Sequence, residues 1–233
     1  MKKLLIIIIS LISLASCSYT SGSGNIVTET RSVGSFNAIS VGGSFDVEVK
    51  IGPVTEVKIE ADDNIIKYIE MTVSGNTLKI RTEDLHNYSD VHMKVFITVP
   101  ALSAIRVSAS AEVVVKDLLK NSSKISFHAS SSGSIDAEVA APEIETDASS
   151  GGSINVHGKT RTYSAEASSG ADIKSYDLLS ENARAGVSSG ATIQLHASVG
   201  IDAKASSGGT IEYHGAATVN RSVSSGGSVE KRD

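Results

Sequence analysis

Along the second half of the chain, apolar and polar positions recur in a fixed order. Six copies of one seven-residue pattern follow each other from residue 129. They read Ala-Ser-Ser-Ser-Gly-Ser-Ile (129–135), Ala-Ser-Ser-Gly-Gly-Ser-Ile (148–154) and Ala-Ser-Ser-Gly-Ala-Asp-Ile (167–173). Val-Ser-Ser-Gly-Ala-Thr-Ile (187–193), Ala-Ser-Ser-Gly-Gly-Thr-Ile (205–211) and Val-Ser-Ser-Gly-Gly-Ser-Val (223–229) complete the set. The closing residues Ile135, Ile154, Ile173, Ile193, Ile211 and Val229 are spaced 19, 19, 20, 18 and 18 apart. Ten positions before each of the last five stands a second set, Ile144, Tyr163, Ala183, Ile201 and Val219. Side chains of a strand alternate with period 2, so these even offsets predict shared faces. Polar residues such as Glu145, Asp147, Ser164, Glu166, Asp202 and Lys204 fall between them.

Each period therefore predicts two short strands. Ser-Ser-Gly joins them at one end and a second turn (140–142, 157–159, 175–177, 196–198, 214–216) at the other. A unit this small cannot bury its own apolar face, so the copies must stack. At about 4.8 Å per strand, six periods add roughly 29 Å of length. The predicted class is all-β, a parallel β-helix or solenoid with two short strands per coil.

The first half alternates less regularly. Phe45, Val47, Val49 and Ile51 share one parity, as do Val57 and Ile59, Leu78 and Ile80, and Met93, Val95, Ile97 and Val99. Ser74-Gly75-Asn76 predicts a turn. Residues 62–68 predict a brief helical turn capped by Asp62 or Asp63. Val107-Ser108-Ala109-Ser110-Ala111-Glu112-Val113 is a degenerate copy of the repeat, 22 residues ahead of the first clear one. Larger apolar residues here predict a broader core that caps the solenoid.

Composition narrows the function. Aromatic residues are 4% with no Trp, against 40% hydrophobic overall. That is too apolar for a disordered chain and too poor in rings for an ordinary enzyme core; a thin interior of Ala, Ile and Val fits both facts. One Cys excludes an internal disulfide framework and a multi-cysteine zinc site. A net charge of −5, with no basic run after the first residues, argues against nucleic acid as a partner. The repeat also lacks the Asp of calcium-binding nonapeptide solenoids.

The N-terminus carries an address. Lys2 and Lys3 precede an apolar stretch from Leu4 to Leu14, too short to span a bilayer and suited to a signal peptide over 1–16. Leu14-Ala15-Ser16-Cys17 resembles the bacterial lipobox, so Cys17 is the expected lipidation site and the membrane an expected partner through that lipid. Ser18 after it favours the outer membrane, on either its surface or its periplasmic face. Residues 17–32 have the composition of a flexible tether. The expected division continues with an irregular β part over 33–120 and the repeat solenoid over 121–233.

Ser35-Phe36-Asn37-Ala38-Ile39, Gly43-Ser44-Phe45-Asp46-Val47-Glu48-Val49 and Glu60-Ala61-Asp62-Asp63-Asn64-Ile65-Ile66 resemble the auto-transporter adhesin head GIN domain family. Gly75-Asn76-Thr77-Leu78-Lys79-Ile80 and the Ser-Gly turns fit it too, so the likeness covers about residues 33 to 233. The resemblance implies a right-handed parallel β-helix without a known catalytic set, and adhesion as its role.

No residue constellation predicts catalysis. The repeated serines have no base in their own motif except His128 beside the first copy, and Ser-Ser-Gly is better explained as turn chemistry. His157, His196 and His214 each stand three residues past a ladder Ile, with Tyr176 in the intervening copy. His196 and His214 fall in adjacent coils, but two imidazoles hold a metal only weakly and a firm site needs three or four ligands. A solvated histidine row is the favoured reading, with no metal and no cofactor.

One position past the ladder, Asp136, Asn155, Lys174, Gln194, Glu212 and Glu230 form an outward column of mixed sign. Arg221 occupies an inward position in the last period, near an end where it can reach water. Val229, Glu230, Lys231 and Arg232 form the last edge, a candidate surface for self-association into a homo-oligomer. These observations favour a non-enzymatic, lipid-anchored adhesion or ligand-binding module, with envelope or host glycans or proteins as partners. A carbohydrate-active β-helix enzyme and a self-assembling structural protein are the alternatives.

Overall fold

In a computed structural model, which describes residues 19–83 and 87–232, the ladder positions stack in the order of the chain. Ile135 pairs with Ile154, then Ile173, Ile193, Ile211 and Val229, always in parallel. The second set pairs likewise from Ile144 through Tyr163, Ala183 and Ile201 to Val219. Every member of both ladders is buried except Val219, which is half-buried. The molecule is an all-β solenoid of about 7 turns. Its signal segment and Cys17, read from the sequence, lie outside the described residues.

The Ser-Ser-Gly corners owe their shape to two consecutive left-handed residues. In the 148–154 copy Ser150 and Gly151 have φ of 51° and 72°, and the Gly152 amide donates to the Ser149 carbonyl at 2.9 Å. Two positive φ values inside such a bond define a type I′ turn. The turns are also bonded to one another, since Gly151, Gly170 and Gly190 each donate to a serine carbonyl of the next coil at 3.1 Å.

The other corner is not a separate turn in the central coils. Its pairing runs on through Ser134–Ala148, Ser153–Ala167, Asp172–Val187 and Thr192–Ala205, each a single bent strand. Two successive outward residues, such as Pro142 and Glu143, shift the inward parity there without breaking the ladder. Gly158 (φ 121°) lies so close beneath that an added Cβ would stand 2.1 Å from the Val139 carbonyl oxygen. In the last full coil the two strands separate, as Thr210–His214 and Thr218–Val223.

The N-terminal part extends the stack beyond the recognised copies. Val107 pairs with Ala129 and Val113 with Ile135, and the corner between them is made by Ala109 and Ser110 at φ of 55° and 66°. Next in the stack comes an earlier segment, Ala38–Gly42 and Asp46–Ile51, with Val41 on Val107 and Val47 on Val113. On its far side lie Thr77–Thr82 and Met93–Val99, placing Leu78 on Ile39 and Val95 on Val47. The 38–51 layer is thus held between two layers that follow it in sequence.

Antiparallel strands close this end. Ile69–Ser74 forms a hairpin with Thr77–Thr82 through the Ser74-Gly75-Asn76 turn. Glu56–Asp62 pairs with Met93–Val99, and Ile26–Arg31 pairs with Glu56–Asp62.

Two expectations are corrected here. Residues 19–31 are not a free tether: Tyr19–Ser21 pairs with Asn87–Ser89, and Ile26–Arg31 covers an otherwise open sheet edge. Buried Asp62 accepts the Gly24 and His92 amides at 2.7 Å each, while Asp63 binds the Ser23 and Asn25 side chains. With both carboxylates so engaged, the short 3₁₀ turn Ile66–Tyr68 has Ile65 at its N-cap and no side-chain cap.

The interior also holds more ring than a thin Ala/Ile/Val core implies. Phe45, Phe127 and Tyr163 are fully buried. Tyr163 lies between Ile144 and the small Ala183, and its hydroxyl meets Thr146 Oγ1 at 2.9 Å. Burial holds that phenol neutral, raising its pKa to about 12. No helix among the described residues is long and apolar enough to cross a membrane.

Candidate polar face and its notch

The stack turns every second residue of the 143–148, 162–167, 182–187, 200–205 and 218–223 segments outward on one sheet. Strict register then sorts these side chains into columns. One column runs His128, Asp147, Glu166, Gly186, Lys204 and Ser222. Beside it run Ser126, Glu145, Ser164, Arg184, Asp202 and Asn220.

At the N-terminal end of this face Lys124 matches Glu143 and Glu145, while Arg106, one coil before His128, forms no ion pair among the described residues. Lys124 Nζ reaches Glu145 at 2.5 Å and Glu143 at 3.1 Å, and these bonds hold its ammonium above its ordinary pKa. His128 Nδ1 stands 3.5 Å from Asp147. Further along, matching fails. Glu166 and Lys204 have no ion-pair partner among the described residues, and Arg184, 73% exposed, only approaches Asp202 at 3.9 Å.

Asp147, Glu166, Arg184 and Lys204 line a groove of about 590 Å³ together with the serines of the adjoining corner. Gly186 forms its floor. A Cβ there would stand 2.1 Å from Glu166 Oε2, so the missing side chain is what lets the Glu166 carboxyl lie flat on the next coil. That contact strips water from the carboxyl and raises its pKa; Asp147 adds to the shift, and Lys204 and Arg184 oppose it. Arg184 also borders a second groove of about 690 Å³ with Thr162, Asn182, Asp202 and Asn220. The face is rich in short polar groups.

Residues singled out from the sequence fall elsewhere. His196 and His214 are register neighbours, but Tyr176 stacks on His214 with ring centroids 4.0 Å apart and planes within 4°. A strand irregularity between Ser175 and Leu179 carries Tyr176 across the intervening coil to do so. Its hydroxyl donates to Glu212 at 3.0 Å, and burial, then this bond, raises its pKa to about 12. His214 is therefore occupied as a stacking partner. No group of three or more His, Cys, Asp or Glu side chains suited to a metal exists among the described residues.

At the last coil Glu212 also accepts Gln194 at 3.0 Å and Arg232 Nε at 2.9 Å, and Arg232 reaches Glu230 at 3.3 Å. The Arg232 bond, foremost, keeps Glu212 below the usual carboxylate range. Val229 is buried, whereas Glu230 and Lys231 are exposed. Arg221 is exposed and donates to the Val229 carbonyl at 3.4 Å, spanning the end of the stack. Cys17 lies outside the described residues. The notch was missed in the sequence, though aligning the repeats exposes its signal: Gly186 is the one glycine in a column otherwise polar or charged from His128 to Ser222.

A family model described as "Putative auto-transporter adhesin, head GIN domain" matches residues 35–217. Comparison with curated proteins gives no match. Among solved structures, a "putative adhesin" from Bacteroides fragilis is 21% identical with a TM-score of 0.82, covering 91% of this chain and 98% of its own. A "putative lipid binding protein" from Parabacteroides distasonis is 20% identical with a TM-score of 0.76, over 93% of this chain and 100% of its own. A "putative adhesin" from the same organism is 22% identical with a TM-score of 0.71, over 92% and 100%. At these identities the likeness establishes the fold.

Proposed function

The chain belongs to the auto-transporter adhesin head GIN domain family, and from that premise we propose a non-enzymatic adhesive module of the cell envelope, anchored by lipid at Cys17. Its ligand contact is the outward polar face centred on Glu166, Arg184 and Lys204. The observation that carries this reading is the charge left unmatched there: on the same sheet Lys124 satisfies Glu143 and Glu145, whereas Glu166 and Lys204 form no ion pair among the described residues and border a groove. Rigid stacking repeats hydroxyl, amide and charged groups at a constant interval, so an extended ligand meets many weak contacts at once. Hydroxyl-rich polymers of the envelope or of a host surface suit such a face.

The test is a glycan array and envelope-fraction pull-down with the purified protein. Retention of at least one glycan or fraction, weakened by Arg184→Ala, is the expected result; silence against all of them would overturn the reading. Palmitate labelling lost in Cys17→Ser tests the anchor, and protease access on intact cells tests surface exposure.

A further inference from the structure

We propose that the Glu166–Gly186–Lys204 notch binds a zwitterionic group, an ammonium next to a carboxylate. This names the ligand chemistry of the face described above and rests on its being a binding surface.

The argument begins with register. Glu166, Gly186 and Lys204 occupy one column in three successive coils. At about 4.8 Å per coil, the acid and the amine are rooted roughly 9.6 Å apart with only a glycine between them. Both side chains border the same groove, yet neither forms an ion pair among the described residues. The glycine leaves room for the Glu166 carboxyl to lie over the middle coil, where an added Cβ would stand 2.1 Å from its Oε2.

The surroundings carry both signs. Asp147 stands one coil from Glu166, away from Gly186, with His128 beyond it; Arg184 is rooted in the Gly186 coil, in the adjacent column, and Asp202 in the Lys204 coil. A simple anion entering the gap meets Lys204 and Arg184 but also Glu166 and Asp147. A simple cation meets the opposite conflict. A group with both charges, its ammonium toward Glu166 and its carboxylate toward Lys204 and Arg184, satisfies both ends. It also replaces the water that Glu166 has lost against Gly186, where a charge-assisted hydrogen bond is strongest.

Two sources supply this chemistry in polymers: the free end or side chain of a peptide, and an amino sugar bearing a carboxylate. Calorimetric or NMR titration of the full chain separates them, using alanyl-alanine for the first and muramic acid for the second. N-acetylalanyl-alanine, alanyl-alaninamide and N-acetylmuramic acid are the controls with one charge removed. At least one zwitterion is expected to bind, with a loss of tenfold or more when its amine is acetylated; amidation is expected to do the same for the dipeptide.

Lys204→Met and Glu166→Gln should each weaken binding at least tenfold. Both positions are exposed, so unchanged thermal unfolding serves as the control on folding. Binding confined to the dipeptide or to muramic acid assigns the source and supports the proposal. No binding by either zwitterion, or equal binding by their blocked forms, overturns it. If the zwitterions bind while arrays and envelope fractions stay silent, the adhesive role fails and the notch stands.

Discussion

The two ends of the solenoid are built on different terms. The N-terminal layers bury Phe45, Ile39, Leu78, Ile80 and Ile97 completely, and antiparallel strands seal their outer side. Among the described residues nothing covers the last coil in this way: Val223 is 47% exposed, and Arg221 and Arg232 hold the end through polar contacts. Where side chains are large and layers interlock, stability is shared across elements. Where coils are alike and each meets only its neighbours, stability is a sum of nearest-neighbour terms, and a coil can open without the rest. The polar face lies in the second regime, where uniform small residues keep the columns straight.

The sharpest break of that contrast is a cavity in the interlocked end. Phe45→Ala should cost about 3–5 kcal/mol and shift the entire denaturant transition, because the ring is fully buried beside the layer held between two others. Ile211→Ala should instead accelerate hydrogen exchange mainly in residues 210–231; matching global shifts from both would erase the distinction.

A smaller effect is expected between the two regimes, at Tyr163. Tyr163→Phe should cost about 1 kcal/mol by removing the 2.9 Å bond to Thr146 Oγ1, which keeps only a 3.5 Å bond to the Ser164 carbonyl. In the unmodified protein the raised phenol pKa gives stability that is full below about pH 10 and is lost as pH rises through about 12. Alkaline unfolding followed by circular dichroism checks the sign, which the Phe variant should not show. Within the repeats, Ser189→Asn should raise stability by about 0.5 kcal/mol, since Asn tolerates the left-handed conformation better than Ser.

The most local change is at the clasp. Because the pKa of Glu212 is lowered, its bond to Arg232 stabilises fully above the ordinary carboxylate range, and that stability is lost as pH falls below it through the lowered value. Faster exchange of the Ser228–Lys231 amides on acidification, reproduced at neutral pH by Glu212→Gln, is the expected reading.

The repeats were legible because the period is intact from Ile135 to Val229, and parity alone assigns inside and outside. Val107 to Val113 could be added because its turn chemistry survives. The layer around Val41 and Val47 could not, since it pairs with Val107 and Val113 across 66 residues instead of about one period. Its insertion supplies yet another layer that no periodicity announces. The notch was illegible for a related reason: Glu166 reads as one polar strand residue among many until the neighbouring coil shows a glycine under its carboxyl. Tyr176 likewise reads as a substitute for histidine in a row, and only the irregularity after Ser175 lets it reach His214 and Glu212.

The position of the 38–51 layer has a consequence in time. Synthesis delivers it ahead of both layers that enclose it, so its Ile39 and Val47 faces wait for residues 77–99 and then for residues 104–115. Assembly at this end cannot proceed strictly from first residue to last. Contacts this distant in sequence make a slow nucleus, after which the serine coils can add one by one on a finished template.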